Sequence, residues 1–104
     1  MNILILGDVS GPSGLKAVTE KLPSLIKNKK INFVVINGEN AGNSGVGITK
    51  KNTEELFNAG ADVITSGNHI WDEKETEKFI DSEERLLRPE NLLKGSPGKG
   101  FGIF

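Results

Sequence analysis

Three short apolar runs, each followed by a segment with helical character, set the pattern of the chain. The runs are Asn2 to Leu6, Ile31 to Ile36 and Asp62 to Thr65. Their aliphatic and β-branched residues are typical of strands, and the first run fits a strand that is buried on both faces. The alternation of strand and helix predicts an α/β fold, with a mainly parallel sheet, flanking helices and right-handed crossovers.

Two helices are predicted between these strands. Apolar residues recur at helical spacing from about Pro12 to Lys29, where Pro23 predicts a kink or a division into two short helices. Thr49 can cap a second helix that runs through Asn58, and Gly60 suits the position just after its end.

The last third of the chain predicts one more helix and then little regular structure. Asp72, followed by Glu75, resembles a capping box, so we expect a helix from Asp72 to about Asp81. The segment from Ser82 to Lys94 has no clear period and favours an extended conformation. Phe101 to Phe104 reads as the beginning of another strand.

Composition excludes several classes of protein. The chain has 104 residues, 36% hydrophobic and 26% charged, which suits one soluble globular domain. A net charge of -1 gives no strong signal for nucleic acid, and no apolar run approaches the roughly 20 residues of a membrane span. The absence of cysteine excludes disulfides and thiolate metal sites, and it is compatible with the cytoplasmic location that we expect.

Polar side chains with chemical potential follow each predicted strand. They are Asp8 after the first strand, Glu39 and Asn40 after the second, and Asn68 and His69 after the third. Open α/β sheets place their ligands at the carboxyl ends of the strands. Carboxylate and amide oxygens suit hard or borderline divalent metals, and a neighbouring imidazole can act as a general acid. The pattern therefore suggests a metal centre.

Simpler interpretations stand beside this one. Asp8 also suits a helix-capping acid, Glu39 a solvated loop residue, and His69 a hydrogen-bonded structural histidine. Trp71 is most simply a packing anchor, and Asp72 is most simply the cap of the third helix.

A flavodoxin-like or Rossmann-like binding module is a further alternative. Gly7, Gly11 and Gly14 lack the spacing of the dinucleotide fingerprint, and the carboxylate of Asp8 would repel a pyrophosphate. The glycine-rich stretch from Gly42 to Lys50 lacks the ending of a Walker A motif. These observations argue against that alternative.

The ordered motifs Gly7-Asp8, Asn37-Gly38-Glu39-Asn40 and Gly67-Asn68-His69 resemble those of the calcineurin-like metallophosphoesterase superfamily. More narrowly, the chain resembles the YmdB-type branch, whose members are similar to 2′,3′-cyclic-nucleotide phosphodiesterases. The resemblance covers essentially the whole chain. It extends to Ile3 to Val9, Gly45 to Thr49, Ser66 to Asp72, Leu87 to Pro89, and Pro97 to Phe104.

The resemblance implies a metal-dependent phosphodiesterase that hydrolyses small phosphodiesters such as 2′,3′-cyclic nucleotides. Two divalent ions, iron or manganese, would be held by Asp8, Glu39, Asn40 and Asn68. Glu39 would bridge both ions, and Asn40 would act as a ligand or a phosphate contact. His69 would be the catalytic residue and would protonate the leaving ribose oxygen.

The resemblance also sets an expectation about completeness. Members of the branch are longer, and their second half supplies further histidine ligands, whereas this chain contains 1 histidine. We therefore expect residues 1–104 to form a single, incomplete domain that resembles the first half of an αββα metallophosphoesterase sandwich. Its exposed sheet face and open edge would favour self-association. The alternative function is a non-catalytic half-domain with at most weak metal or phosphate binding.

Overall fold

A parallel sheet of three strands forms the centre of the computed structural model, which describes all residues from Met1 to Phe104. The strands are β1 (Ile3–Leu6), β2 (Phe33–Asn37) and β3 (Val63–Thr65), and they lie in the order β1-β2-β3. Both neighbouring pairs are parallel. The α/β fold class predicted from the sequence is confirmed.

Two helices connect the strands and lie on the same face of the sheet. The helix α1 (Gly11–Lys29) joins β1 to β2, and α2 (Lys50–Ala59) joins β2 to β3. Successive right-handed crossovers in one direction place both helices on one side, where α1 and α2 pack against each other. None of the helices combines the length and apolar character that are needed to cross a bilayer.

The two faces of the sheet differ in burial. On the helical side, Val34, Ile36 and Ile64 are buried in the core together with leucines of both helices. On the opposite side, Ile3 is 50% exposed and Ile5 is 72% exposed. The prediction that the first strand is buried on both faces is therefore wrong, because no element of this chain covers the second face of β1.

The helix α1 is continuous through Pro23. It runs for 19 residues with Pro23 inside it and exposed on its surface. The predicted division into two short helices is therefore not observed. Leu15 and Leu22, which precede the proline, are buried in the same core as the sheet, and this packing supports an uninterrupted helix.

The helix α2 begins and ends with the residues that the sequence indicated. The Thr49 hydroxyl accepts a hydrogen bond from the Asn52 N–H at 3.0 Å, and the Asn52 side chain accepts one from the Thr49 N–H at 3.0 Å. This reciprocal pair is a capping box, which satisfies backbone donors at the helix start. Gly60 follows the helix in the left-handed conformation, with φ of 119°.

The segment after β3 departs furthest from its prediction. Residues 68–75 form turns and bends, and they are followed only by α3 (Thr76–Phe79) and a 3₁₀ turn (Ile80–Ser82). Asp72 does not cap a helix, because its carboxylate pairs with the His69 ring instead. The predicted helix from Asp72 to Asp81 is therefore wrong over its first turn.

The chain after the 3₁₀ turn forms two isolated parallel β-bridges beside β3. Leu86 pairs with Ile64, and Leu87 pairs with Lys99, which extends the sheet at the β3 side. Phe101 to Phe104 is exposed and forms no strand, so the strand predicted there is wrong. Its backbone makes no ladder hydrogen bond to a neighbouring segment.

Candidate functional site

The carboxyl ends of the three strands lie side by side and form one polar edge. The hydrogen-bond ladder continues past the strands, since the Val9 N–H donates to the Asn37 carbonyl at 3.0 Å. On the other side of β2, the Gly38 N–H donates to the Thr65 carbonyl at 3.0 Å. These bonds fix the three loops that carry the predicted site residues relative to one another.

Asp8 and Asn40 meet across the ends of β1 and β2. The Asn40 Nδ2 lies 3.0 Å from Asp8 Oδ1 and 3.1 Å from Asp8 Oδ2. The backbone supports this contact, because the Gly11 N–H donates to the Asn40 carbonyl at 2.8 Å. Each carboxylate oxygen keeps a lone pair beyond the amide bond, so Asp8 can still accept a further partner.

The amide oxygen of Asn40 has no partner. This Oδ1 atom is buried and makes no hydrogen bond. Buried polar atoms are nearly always paired, and an unpaired one calls for an explanation. An amide oxygen with open lone pairs beside the carboxylate of Asp8 is the kind of donor that a hard cation accepts.

Glu39 joins the end of β2 to the turn after β3. Its Oε2 accepts a hydrogen bond from the His69 backbone N–H at 3.2 Å. Its Oε1 accepts one from Asn37 Nδ2 at 3.3 Å, and the Asn37 Oδ1 accepts the Glu39 N–H at 3.1 Å. Asn37 therefore holds both ends of Glu39. Asn37 is a site residue that the motifs did not indicate, although an asparagine whose side chain bonds to the backbone two residues further on is a known turn signal.

His69 is paired with Asp72 in the turn that follows β3. The His69 Nδ1 lies 2.6 Å from Asp72 Oδ2. The Asp72 N–H also donates to the His69 carbonyl at 3.1 Å, which closes the turn. The other ring nitrogen, Nε2, makes no hydrogen bond within the chain. The helix cap predicted for Asp72 is therefore wrong, and the sequence signal for its pairing is its spacing of one turn from the only histidine.

Asn68 lies in the same turn but is not drawn into the cluster. Its side chain is exposed and makes no hydrogen bond with Asp8 or Glu39. In the structure Asp8 contacts Asn40, and Glu39 contacts the backbone of His69. Asn68 lies at the same edge of the sheet but its side chain contacts none of these residues through a hydrogen bond.

The donors at this edge fit a divalent cation in kind but not in number. Asp8 and Glu39 form none of the ion pairs that lysines and arginines make in this protein, so neither carboxylate is neutralised by a basic side chain. Together with the Asn40 oxygen they are the oxygen donors that hard or borderline metals prefer. However, no three acidic, histidine or cysteine side chains converge on one point. The chain therefore supplies part of a ligand set.

Fold and edge together define an α/β protein with polar side chains gathered at the carboxyl ends of a parallel sheet. The chain belongs to the YmdB-like protein family, whose model matches residues 4–104. It is 49% identical over 101 residues to a 2′,3′-cyclic-nucleotide 2′-phosphodiesterase of Bacillus subtilis (strain 168). That match covers 97% of this chain and 38% of the relative.

Two solved structures are similar over the whole fold. A hypothetical protein from Thermus thermophilus matches with a TM-score of 0.90 and 38% identity, over 100% of this chain and 40% of that one. A novel phosphatase from Mycoplasma pneumoniae matches with a TM-score of 0.85 and 31% identity, over 98% and 38%. The chain therefore spans about two fifths of the length of these relatives. The family resemblance inferred from the motifs is confirmed.

Proposed function

We propose that this protein takes part in the metal-dependent hydrolysis of small phosphodiesters such as 2′,3′-cyclic nucleotides. The observation that carries the proposal is the pair of contacts, Asp8 with Asn40 and Glu39 with His69, that joins the ends of the three strands. The Bacillus subtilis relative, which is named for such an activity, supports the substrate class. Because the chain spans 38% of that relative, the activity is carried over as a proposal only.

In this proposal, the metal ligands are Asp8, Glu39, Asn40 and Asn68, and the ions are iron or manganese. A bound divalent ion supplies positive charge for the negative charge that develops on the phosphoryl oxygens. Asp8 and Glu39 bring unneutralised carboxylates, and the unpartnered Oδ1 of Asn40 adds an uncharged oxygen. Glu39 connects the loop after β2 to the turn after β3 and would offer its carboxylate to a bound ion from there.

His69 acts as the proton donor. A water oxygen bonds to phosphorus and releases one proton to the solvent as the bond from phosphorus to the ribose oxygen breaks. The proton on His69 Nε2 passes to that ribose oxygen, which leaves as a hydroxyl group. The backbone N–H of His69 donates to Glu39 at 3.2 Å, which holds the turn that carries the ring next to Glu39, and the ring's only hydrogen bond uses Nδ1.

A non-catalytic role is the second candidate, and one observation favours it. No cluster of three or more acidic, histidine or cysteine side chains is formed by these 104 residues. The protein would then keep the fold and bind a cation or a phosphate only weakly. Both candidates treat residues 1–104 as a single domain, and the cytoplasmic location expected from the sequence stays a prediction.

Metal content and turnover of one sample separate the two candidates. The chain is loaded anaerobically with iron(II) or manganese and assayed with 2′,3′-cyclic AMP, whose leaving group needs a proton, and with bis(4-nitrophenyl) phosphate, whose leaving group does not. Asp8→Ala tests the ligand set and His69→Ala tests the proton donor. Glu77→Ala is the matched control, because Glu77 is an exposed acid outside the edge.

Phosphodiesterase function predicts bound metal that Asp8→Ala removes and His69→Ala retains. It also predicts turnover that the control variant keeps. Little metal and no turnover in the unmutated chain would overturn the catalytic proposal and support the non-catalytic one.

A further inference from the structure

The turn that carries His69 is anchored so that two polar side chains meet outside the core. Ile70 is fully buried, and its N–H donates to the Gly67 carbonyl at 3.2 Å. The side chains on either side of this anchor remain accessible, at 37% exposed for His69 and 41% for Asp72. The turn therefore holds the imidazole and the carboxylate against each other at the surface of the site.

The contact involves one specific ring nitrogen. Asp72 Oδ2 lies 2.6 Å from His69 Nδ1, which is within hydrogen-bond distance. An ionised carboxylate can only accept, so Nδ1 carries the shared hydrogen. In a neutral imidazole this arrangement fixes the tautomer and leaves Nε2 unprotonated.

A purely structural reason for Asp72 is not found at this turn. The helix α3 begins at Thr76, and its cap position is held by Glu75 without a side-chain cap bond. The Asp72 carboxylate bonds to the His69 ring and to no backbone N–H. The only partner of Asp72 is thus the residue that the proposed function uses as a proton donor.

We infer that Asp72 is a positioning residue: it holds His69 in the Nδ1–H form and in one ring orientation, with Nε2 directed to the reaction. Its catalytic meaning rests on the proposed function, whereas the tautomer is a property of the folded chain alone. During turnover the ring would react as the imidazolium, which carries a proton on both nitrogens: the Nε2 proton would go to the leaving oxygen, the Nδ1 proton would stay on the ring, and Asp72 would stay ionised.

The first test is spectroscopic and needs no activity. Because the chain contains 1 histidine, long-range ¹H–¹⁵N correlation spectra report on His69 without ambiguity. Spectra are recorded at about pH 9, where an imidazole is neutral. We expect a protonated Nδ1 and an unprotonated Nε2 in the unmutated chain, and the opposite form to gain population in Asp72→Ala.

Controls keep this test decisive. Asp72→Asn retains an oxygen that can accept a hydrogen bond from Nδ1, so its population of the Nδ1–H tautomer should lie between those of the unmutated chain and Asp72→Ala. Asp72→Asn replaces Asp72→Ala if the alanine variant does not fold. Glu77→Ala, at an exposed acid away from the ring, should leave the tautomer unchanged. An Nε2–H form in the unmutated chain, or no difference between it and Asp72→Ala, would overturn the inference.

A second test uses the leaving group. A ribose alkoxide needs a proton as it leaves, whereas 4-nitrophenolate does not. Asp72→Ala should therefore slow hydrolysis of 2′,3′-cyclic AMP by about tenfold to a hundredfold, and hydrolysis of bis(4-nitrophenyl) phosphate much less. Equal losses on both substrates would contradict a positioning role. If the unmutated chain hydrolyses neither substrate, the proposed function fails, and the tautomer measurement still decides the inference.

Discussion

Gly67 lies so close to the carboxylate of Glu39 that a single added methyl group would displace it. A Cβ placed on Gly67 would stand 2.5 Å from Glu39 Oε2 and 2.6 Å from Oε1. The glycine thus leaves the space in which the carboxylate reaches the His69 backbone N–H. The motif Gly67-Asn68-His69 therefore needs its glycine, because any larger residue at position 67 would collide with the carboxylate of Glu39.

Gly67→Ala should therefore move Glu39 without unfolding the protein, because the atoms in the way are the end of a movable side chain. We expect the free energy of unfolding to change by about 1 kcal/mol or less. The His69 amide proton should shift upfield as its bond to Glu39 is lost, and bound metal should fall. Gly7→Ala is the matched control, since a Cβ at Gly7 meets nothing within 4 Å. An unchanged His69 amide resonance in Gly67→Ala would contradict this relationship.

The buried hydroxyl of Thr76 should matter for stability. It is fully buried and donates to the Ile48 carbonyl at 2.7 Å, which ties α3 to the loop before α2. Thr76→Val leaves that carbonyl without its partner, and we expect the free energy of unfolding to fall by about 1–3 kcal/mol. Urea denaturation of the two proteins measures this difference in the free energy of unfolding. Thr19→Val, which removes a surface bond to the Lys16 carbonyl, should cost much less, and similar losses in both variants would contradict the argument.

The ion pair between Glu84 and Lys99 should titrate in the acid range. The hydrogen bond from Lys99 and its positive charge hold the pKa of Glu84 below its ordinary value. A carboxyl whose folded pKa is lowered contributes stability above its unfolded pKa and loses it as the pH falls through the folded pKa. Both groups are exposed, so the effect on stability is small and screened by salt.

A carboxyl-detected NMR titration checks this pair directly. The pKa of Glu84 should lie below the ordinary value of a glutamate carboxyl, and Lys99→Ala should raise it back to that value. The same midpoint for Glu84 with and without Lys99 would show that the pair does not persist in solution.

Self-association through the exposed sheet face stays a prediction from the sequence. The structure provides the apolar surface, since Ile5 is 72% exposed on the face of β1 opposite the helices, and β1 is an edge strand. Ile5→Lys should reduce the weight-average mass measured by light scattering at high concentration. Leu93→Lys, which alters an exposed leucine outside the sheet, should not. A strictly monomeric chain would contradict the prediction.

Local signals allowed much of the fold to be predicted. The three strands β1 to β3 were predicted from the three aliphatic runs. The limits of α2 were predicted from the cap at Thr49 and the glycine at Gly60. Each of these features depends on residues that are neighbours in the sequence. The prediction for Asp72 was wrong although it also depended on a local signal. Its spacing to Glu75 is that of a capping box, but a competing local contact with His69, three residues earlier in the same turn, takes the carboxylate instead.

The faces of the sheet could not be predicted from the strands alone. An aliphatic run such as Ile3 to Leu6 indicates that both sides tolerate burial, but not that both are covered. Coverage depends on strand order, and the order β1-β2-β3 places both crossover helices on one side. The site was predicted as a set of strand ends, whereas the holding contacts from Asn37 and Asp72 appear only when the backbone turns are known.

The hydrolysis of 2′,3′-cyclic AMP by the manganese-loaded chain, followed by ³¹P NMR, tests the central claim most directly. The unmutated chain is compared with Asp8→Ala and His69→Ala under the same metal concentration. The account predicts conversion to a phosphomonoester, with a rate that falls by about a hundredfold or more in both variants. Conversion at the same rate in all three samples would contradict a site built from the carboxyl ends of these strands.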